Sequence, residues 1–289
     1  MTVLVIGIAT GFVYALVAVG YSLIYRTTGI VNFAQGAFVM VGGMATWWLT
    51  RHHLAYPIAA VGGVLIAAAV GGVLWVALVS PLWRRNSPPV VVILATLVFG
   101  DLVANVVAKG ISADPQTLPR WIPGFRIPIG GNSIDGQYVI VIAVALLSIV
   151  AIAAALQRSN IGRAMRACAA NTQTSQLLGI APRRVGAAAM IFTAGLAGLA
   201  GVVFTPVQYT DYSSALNFGI YGFVAATIGS FGDLWGSLVG GVLLGLVTQL
   251  TGRYISTNYE LVIAFAILLV LLVLRPQGLL GRRSAVGHA

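Results

Sequence analysis

Long apolar runs, each closed by a short polar interruption, organise this chain. They fall near 2–24, 29–49, 57–79, 89–109, 137–157, 186–206, 218–231, 235–251 and 258–274. A run of about 20 residues, rising 1.5 Å per residue as a helix, spans a hydrocarbon core of about 30 Å. None of the runs alternates in the ten-residue manner of an outer-membrane barrel, so the pattern predicts helices. The stretch 218–251 sets the count. Its 34 residues are too long for one crossing, and FGDLWG breaks them with two glycines and an acid. Two short crossings are expected there. The fold class is therefore all-α, a polytopic helical membrane protein with about nine crossings including two short late segments.

Composition agrees with that class. Hydrophobic residues make up 59% and charged residues only 8%, against roughly 25% charged in soluble domains. The 35 glycines suit a bundle whose helix backbones approach closely. Gly29, Gly36, Gly42 and Gly43 are expected to pack helices in the second run.

A net charge of +10 would suggest nucleic acid in a soluble protein. Here the cations cluster between apolar runs, where they set membrane orientation instead. With nine crossings and the N-terminus outside, 11 of the 16 cations fall inside: Arg26, Arg84, Arg85, Arg158, Arg163, Arg166, Arg183, Arg184, Arg275, Arg282 and Arg283. The charge bias helped to choose this topology and is no independent proof of it. The first run lacks a basic leading segment, its first cation being Arg26, and reads as an uncleaved helix. Residues 110–136, rich in proline and glycine, form an extracytoplasmic loop expected to pack over the outer mouth. One transmembrane domain, residues 1–289, accounts for the chain.

Enzymatic chemistry finds no motif. A phosphate-binding G-x-x-x-x-G-K-[ST] loop is excluded because the single lysine is Lys109. The lone Cys168, with His52, His53 and His288 near run ends or in the tail, offers neither a disulfide nor a metal cluster. No metal or cofactor is expected on this chain. Two polar pairs interrupt apolar runs: Asn32 with Gln35, and Asp101 with Asn105. Polar side chains at membrane depth usually face a bundle interior or a water-filled path. All four are candidates for a substrate path, with hydrogen-bonded glue between helices as the competing reading.

The segment 158–185 carries five arginines and no acid. It predicts a helix over 163–178 that puts Met165, Cys168 and Thr172 on one face, with Gly162 as its start and Gly179 as its left-handed stop. Arg163 and Arg166 are then available to a soluble partner, or alternatively to anionic lipid headgroups.

Three stretches carry a resemblance. GIVNFAQGAFVMVGG, GRAMRACAANTQTSQLLGI and FVAATIGSFGDLWGSLVGGVLLGL (223–246) resemble, in order, segments of the permease subunits of branched-chain amino acid ABC importers. That family also includes permeases for urea and short amides. The resemblance implies a pore subunit paired with a second homologous permease or with itself. It also implies two cytoplasmic ATPase subunits that use ATP and an extracytoplasmic binding protein, in a bacterial plasma (inner) membrane with the C-terminus cytoplasmic. It assigns ATPase coupling to Gly162, Arg163, Arg166, Ala167, Asn171, Leu178 and Gly179, and close helix packing to Gly229 and Gly236. Gly229-Ser230 departs from a more usual glycine pair, and Ser175 stands where alanine is common. Asp233 lies close to the first of these departures. They bear on substrate identity more than on fold.

Two rivals stay open on the residues alone. An ion-coupled secondary transporter would use Asp101 and the broken 218–251 run but needs no arginine-bearing cytoplasmic helix. A membrane scaffold would be glycine-rich and basic but needs no polar pairs in its spans.

Overall fold

The computed structural model describes residues 2–129 and 132–281. Gly130, Gly131, Arg282, Arg283 and His288 lie outside the described residues. In chain order the helices begin with α1 (Thr2–Thr28), α2 (Gln35–Arg51) and α3 (Tyr56–Leu74). A π-helical stretch, Trp75–Val79, joins α3 to α4 (Ser80–Arg84), and α5 (Pro89–Gly110) follows. Beyond a two-stranded hairpin come α6 (Gln137–Arg158), α7 (Asn160–Ala170), α8 (Thr172–Leu177) and α9 (Pro182–Phe204). The chain closes with α10 (Ser214–Gly229), α11 (Leu234–Tyr254) and α12 (Glu260–Leu274).

Proline starts α3, α5 and α9, where its missing N–H costs nothing. Pro81 instead follows the π stretch and has no N–H to give the Ala77 carbonyl, so the helix widens by one residue rather than breaking.

Seven helices are long and apolar enough to cross a membrane, the α3–α4 unit counting as one. α2 and α10, with 17 and 16 residues, are shorter. The protein is thus a mostly helical, polytopic membrane protein. The division of 218–251 is observed: α10 and α11 are separate helices joined through Ser230 at φ +146° and Gly232 at φ +90°. Asp233 caps α11, accepting the Gly236 N–H at 2.7 Å. The chain returns to this turn near its end, where the Leu279 and Leu280 N–H groups cap the last carbonyls of α10, Ile228 and Gly229, at 2.9 and 3.0 Å.

α1 packs along α11, and α9 packs against α2 and α3. Small residues set these distances. A Cβ on Gly11 would sit 2.7 Å from the Cα of Val242, and one on Gly241 2.6 Å from the Cα of Ala15. Without a hydrophobic drive between helices in lipid, this backbone-level fit supplies the dispersion contacts that hold the bundle. Gly36, Gly42, Gly43, Gly229 and Gly236 all lie against neighbouring segments: a side chain on Gly36 would strike α10, and one on Gly42 would strike Gly198 of α9. Gly29 does not. It faces open space at φ +72° and ends α1 as a left-handed residue, its N–H bonding the Tyr25 carbonyl at 2.7 Å.

The 110–136 loop contains more order than its composition suggested. β1 (Arg126–Ile129) and β2 (Asn132–Asp135) pair antiparallel, with Arg126 opposite Asp135. Arg120 makes an ion pair with Asp135. Gln116 and Thr210 exchange two backbone bonds at 2.9 Å, and the Trp121 indole N–H donates to the Tyr56 hydroxyl at 2.7 Å. These contacts tie the loop across the ends of α3 and α9.

Candidate functional site

The first polar pair lies in a break between helices rather than on one. The second apolar run was expected to be helical from 29, yet α2 starts only at Gln35. Asn32 explains the difference: its Oδ1 accepts the Ala34 N–H at 3.1 Å, a local bond that competes with helix. Its Nδ2 donates to the Met190 sulfur at 3.3 Å. Gln35 donates to the Thr193 carbonyl at 3.0 Å and leaves Oε1 without a partner. Both side chains are 0% exposed. They hold the break against α9. Irregular backbone at membrane depth survives only when buried in protein like this.

The second pair lies on the opposite kind of surface. Asp101 and Asn105 are exposed on α5, and the Asn105 amide donates back to the Asp101 carbonyl at 2.9 Å. Asp101 lines a cleft of about 480 Å³ between α5, α10 and the start of α2, shared with Phe33, Tyr212, Ser213 and Asn217. The structure therefore does not bring the two pairs into one site.

The arginine-bearing segment folds as two helices, not one. Ser159 caps α7 by accepting the Gly162 N–H at 3.0 Å. Gly162 is thus inside the helix, where a Cβ would collide with the Leu156 and Ala155 carbonyls of α6. Asn171, extended at φ −160°, ends α7 and caps α8 by accepting the Thr174 N–H at 3.0 Å. That Asx cap breaks the expected 163–178 helix. Gly179 does stop α8, at φ +79°, with its N–H on Gln176 and the Ile180 N–H on Ser175, both at 3.0 Å. This is the Schellman arrangement.

Met165 and Cys168 turn inward against Leu23, Val185 and Ala189, and burial pushes the Cys168 thiol up. Thr172, past the break, donates to the Cys168 carbonyl at 3.2 Å. Arg166 bonds the Leu156 and Gln157 carbonyls at the end of α6, where a cation also favours the helix dipole, and stays exposed. Arg163 bonds the Asn160 side chain and stays exposed, while Ala167 is half-buried. Ser175 tolerates its buried position because its hydroxyl donates to the Asn171 carbonyl at 2.8 Å. The outermost groups are apolar: Leu177 is 88% exposed and Leu178 73%.

Residues 3–272 match the family described as branched-chain amino acid transport system / permease component. The chain belongs to that family. The permease is 31% identical to the high-affinity branched-chain amino acid transport system permease protein LivH of Escherichia coli (strain K12), over 96% of this chain and 94% of the relative. It is 28% identical to the corresponding protein BraD of Pseudomonas aeruginosa, over 96% and 95%. Among solved structures it shares its fold with a chain of PsaBC from Streptococcus pneumoniae in complex with Fab, at a TM-score of 0.52 and 13% identity over 96% and 93% of the two chains. The permease is a transport subunit and not an enzyme.

Sequence reasoning missed Tyr212, Ser213, Asn217 and Leu177. The expected span began at 218, which left the first turn of α10 among loop residues. The adjacent leucines at 177 and 178, in an otherwise polar helix, were a readable signal for the last of them.

Proposed function

We propose that this permease is the membrane-spanning subunit of an ATP-driven importer that translocates a branched-chain or other amino acid. A soluble extracytoplasmic protein delivers the substrate. A second permease, homologous or identical, completes the pore, and two cytoplasmic ATPase subunits bind and hydrolyse ATP while this chain binds no cofactor. The observation that carries the reading is the α7–α8 element. It is capped at each end, anchored to α1, α6 and α9, and tipped by the exposed Leu177 and Leu178. A rigid element with an apolar tip suits a partner that must push on the bundle through differential contacts in two states. The functions named for LivH and BraD support the substrate class.

The chain crosses a bacterial inner membrane nine times, with α2 and α10 as the two short crossings. The N-terminus lies outside and the C-terminus in the cytoplasm. Buried contacts of α2 with α9 and of α10 with α11 support this count, since neither short helix needs lipid to cover its whole length. Cysteine labelling checks it: Asn258→Cys reacts with an impermeant maleimide from outside, and Gln176→Cys only from inside. Cys168 stays silent because burial disfavours its thiolate. Inside labelling at 258 would remove the nine-crossing topology.

Transport is tested by labelled leucine, glutamate and urea in proteoliposomes holding the complete complex. ATP-dependent uptake of leucine or glutamate is expected. Uptake of urea alone would replace the amino acid by an amide, and uptake without ATP would make the protein a secondary transporter.

A further inference from the structure

We infer that the cleft between α5 and α10 is one wall of a substrate site, in which Asp101 takes the ammonium group of an amino acid. Tyr212 and Asn217 supply hydrogen-bond donors for its carboxylate. This deepens the importer reading above and rests on it.

Three observations carry the assignment. Asp101 comes 12 residues after Pro89 and 9 before Gly110 in α5, so at 1.5 Å per residue it lies about 18 and about 14 Å from the helix ends, near the bilayer middle. A carboxylate at that depth is costly against lipid and belongs on a path or a polar partner. Its side chain has no hydrogen bond or ion pair among the described residues, and it is the one charged residue lining the cleft. Among the described residues none offers it an opposite charge.

The rest of the lining selects what kind of cation that is. Leu97, Val98, Leu216 and Ile220 make most of the wall apolar, whereas a metal cation would need several convergent oxygen ligands. One acid beside aliphatic side chains suits a molecule with an ammonium end and an aliphatic end. The Tyr212 hydroxyl and the Asn217 amide make no side-chain hydrogen bond among the described residues and remain exposed. At about 480 Å³ the cleft falls in the size range of small-molecule sites. The helices fix its shape, because Gly36 of α2 and Gly219 of α10 meet backbone to backbone beneath it.

The test uses the complete complex in proteoliposomes, with labelled leucine as probe and thermal unfolding of the same preparations alongside. Asp101→Asn is expected to lower leucine uptake by about tenfold or more, the size of one lost charge-assisted hydrogen bond. Asp101→Glu, which keeps the charge, is expected to recover most of that loss, and both variants should assemble and unfold as the original does. Unchanged uptake in Asp101→Asn would overturn the site while leaving the importer reading intact. Failure of both variants to assemble would also overturn it, by making Asp101 a contact between subunits. If the original complex imports urea but no amino acid, the functional reading and the site fall together.

Discussion

Between α1 and α2, Asn32 and Gln35 are sealed against α9, whereas on α5 Asp101 and Asn105 are exposed, Asp101 lining an open cleft. Both pairs place two polar side chains within about one turn in an apolar stretch. What separates them is where their hydrogen bonds go. The amides use theirs inside the chain, bonding residues 158 positions away in sequence and fixing a helix interruption. The carboxylate has no such use within the described residues. Polar groups in one bundle thus divide into those that hold its shape and those left without a partner among the described residues.

The largest effect is expected where the sealed region has no room at all. Gly42→Leu would drive a side chain into the backbone of Gly198, at a cost of about 3 kcal/mol or more. The variant should fail to give a monodisperse complex in detergent. Survival with an unchanged melting midpoint would mean that α2 and α9 are not locked as described.

Asn32→Leu comes next. It removes two hydrogen bonds, one of them the local bond that shapes the turn before α2, a loss of about 1–2 kcal/mol on the scale measured for polar contacts between membrane helices. Gln35→Met should cost less, about 0.5 kcal/mol, because Gln35 makes one bond and already leaves its Oε1 unsatisfied. Reversed order in thermal unfolding would show that Gln35, not Asn32, holds the break. At the bottom of the scale, Asp101→Asn should leave the unfolding midpoint where it was while uptake falls. A midpoint lowered as far as that of Asn32→Leu would erase the distinction between the pairs.

Much of this arrangement was written in local sequence. The split at FGDLWG, the glycine contacts of α2 and the left-handed stop at Gly179 all follow from residue types whose preferences act over a few positions. The breaks at Asn32 and Asn171 were not read, since each depends on an Asx bond that competes with helix only when neighbouring elements leave it free to form. The contacts of Arg166 were not read for a related reason. Nothing near it in sequence announces that it folds back ten residues to the Leu156 carbonyl. The strand pairing of β1 with β2 was hidden by Pro128 and the three prolines before it, at 115, 119 and 123, and the pairing is held in part by Arg120, distant from Asp135 in sequence. The cleft itself depends on how α5 lies against α10, which no local pattern encodes.

The central claim is that an external ATPase drives this bundle through the tip of α8. The direct measurement is ATP hydrolysis by the complete complex, with and without loaded binding protein, for Leu177→Ser combined with Leu178→Ser. Both side chains are almost bare in the isolated chain, so the change should leave the fold intact. The expected result is that stimulation by the loaded binding protein falls to near the unstimulated rate and uptake falls with it. Full stimulation and full uptake in that variant would contradict the claim.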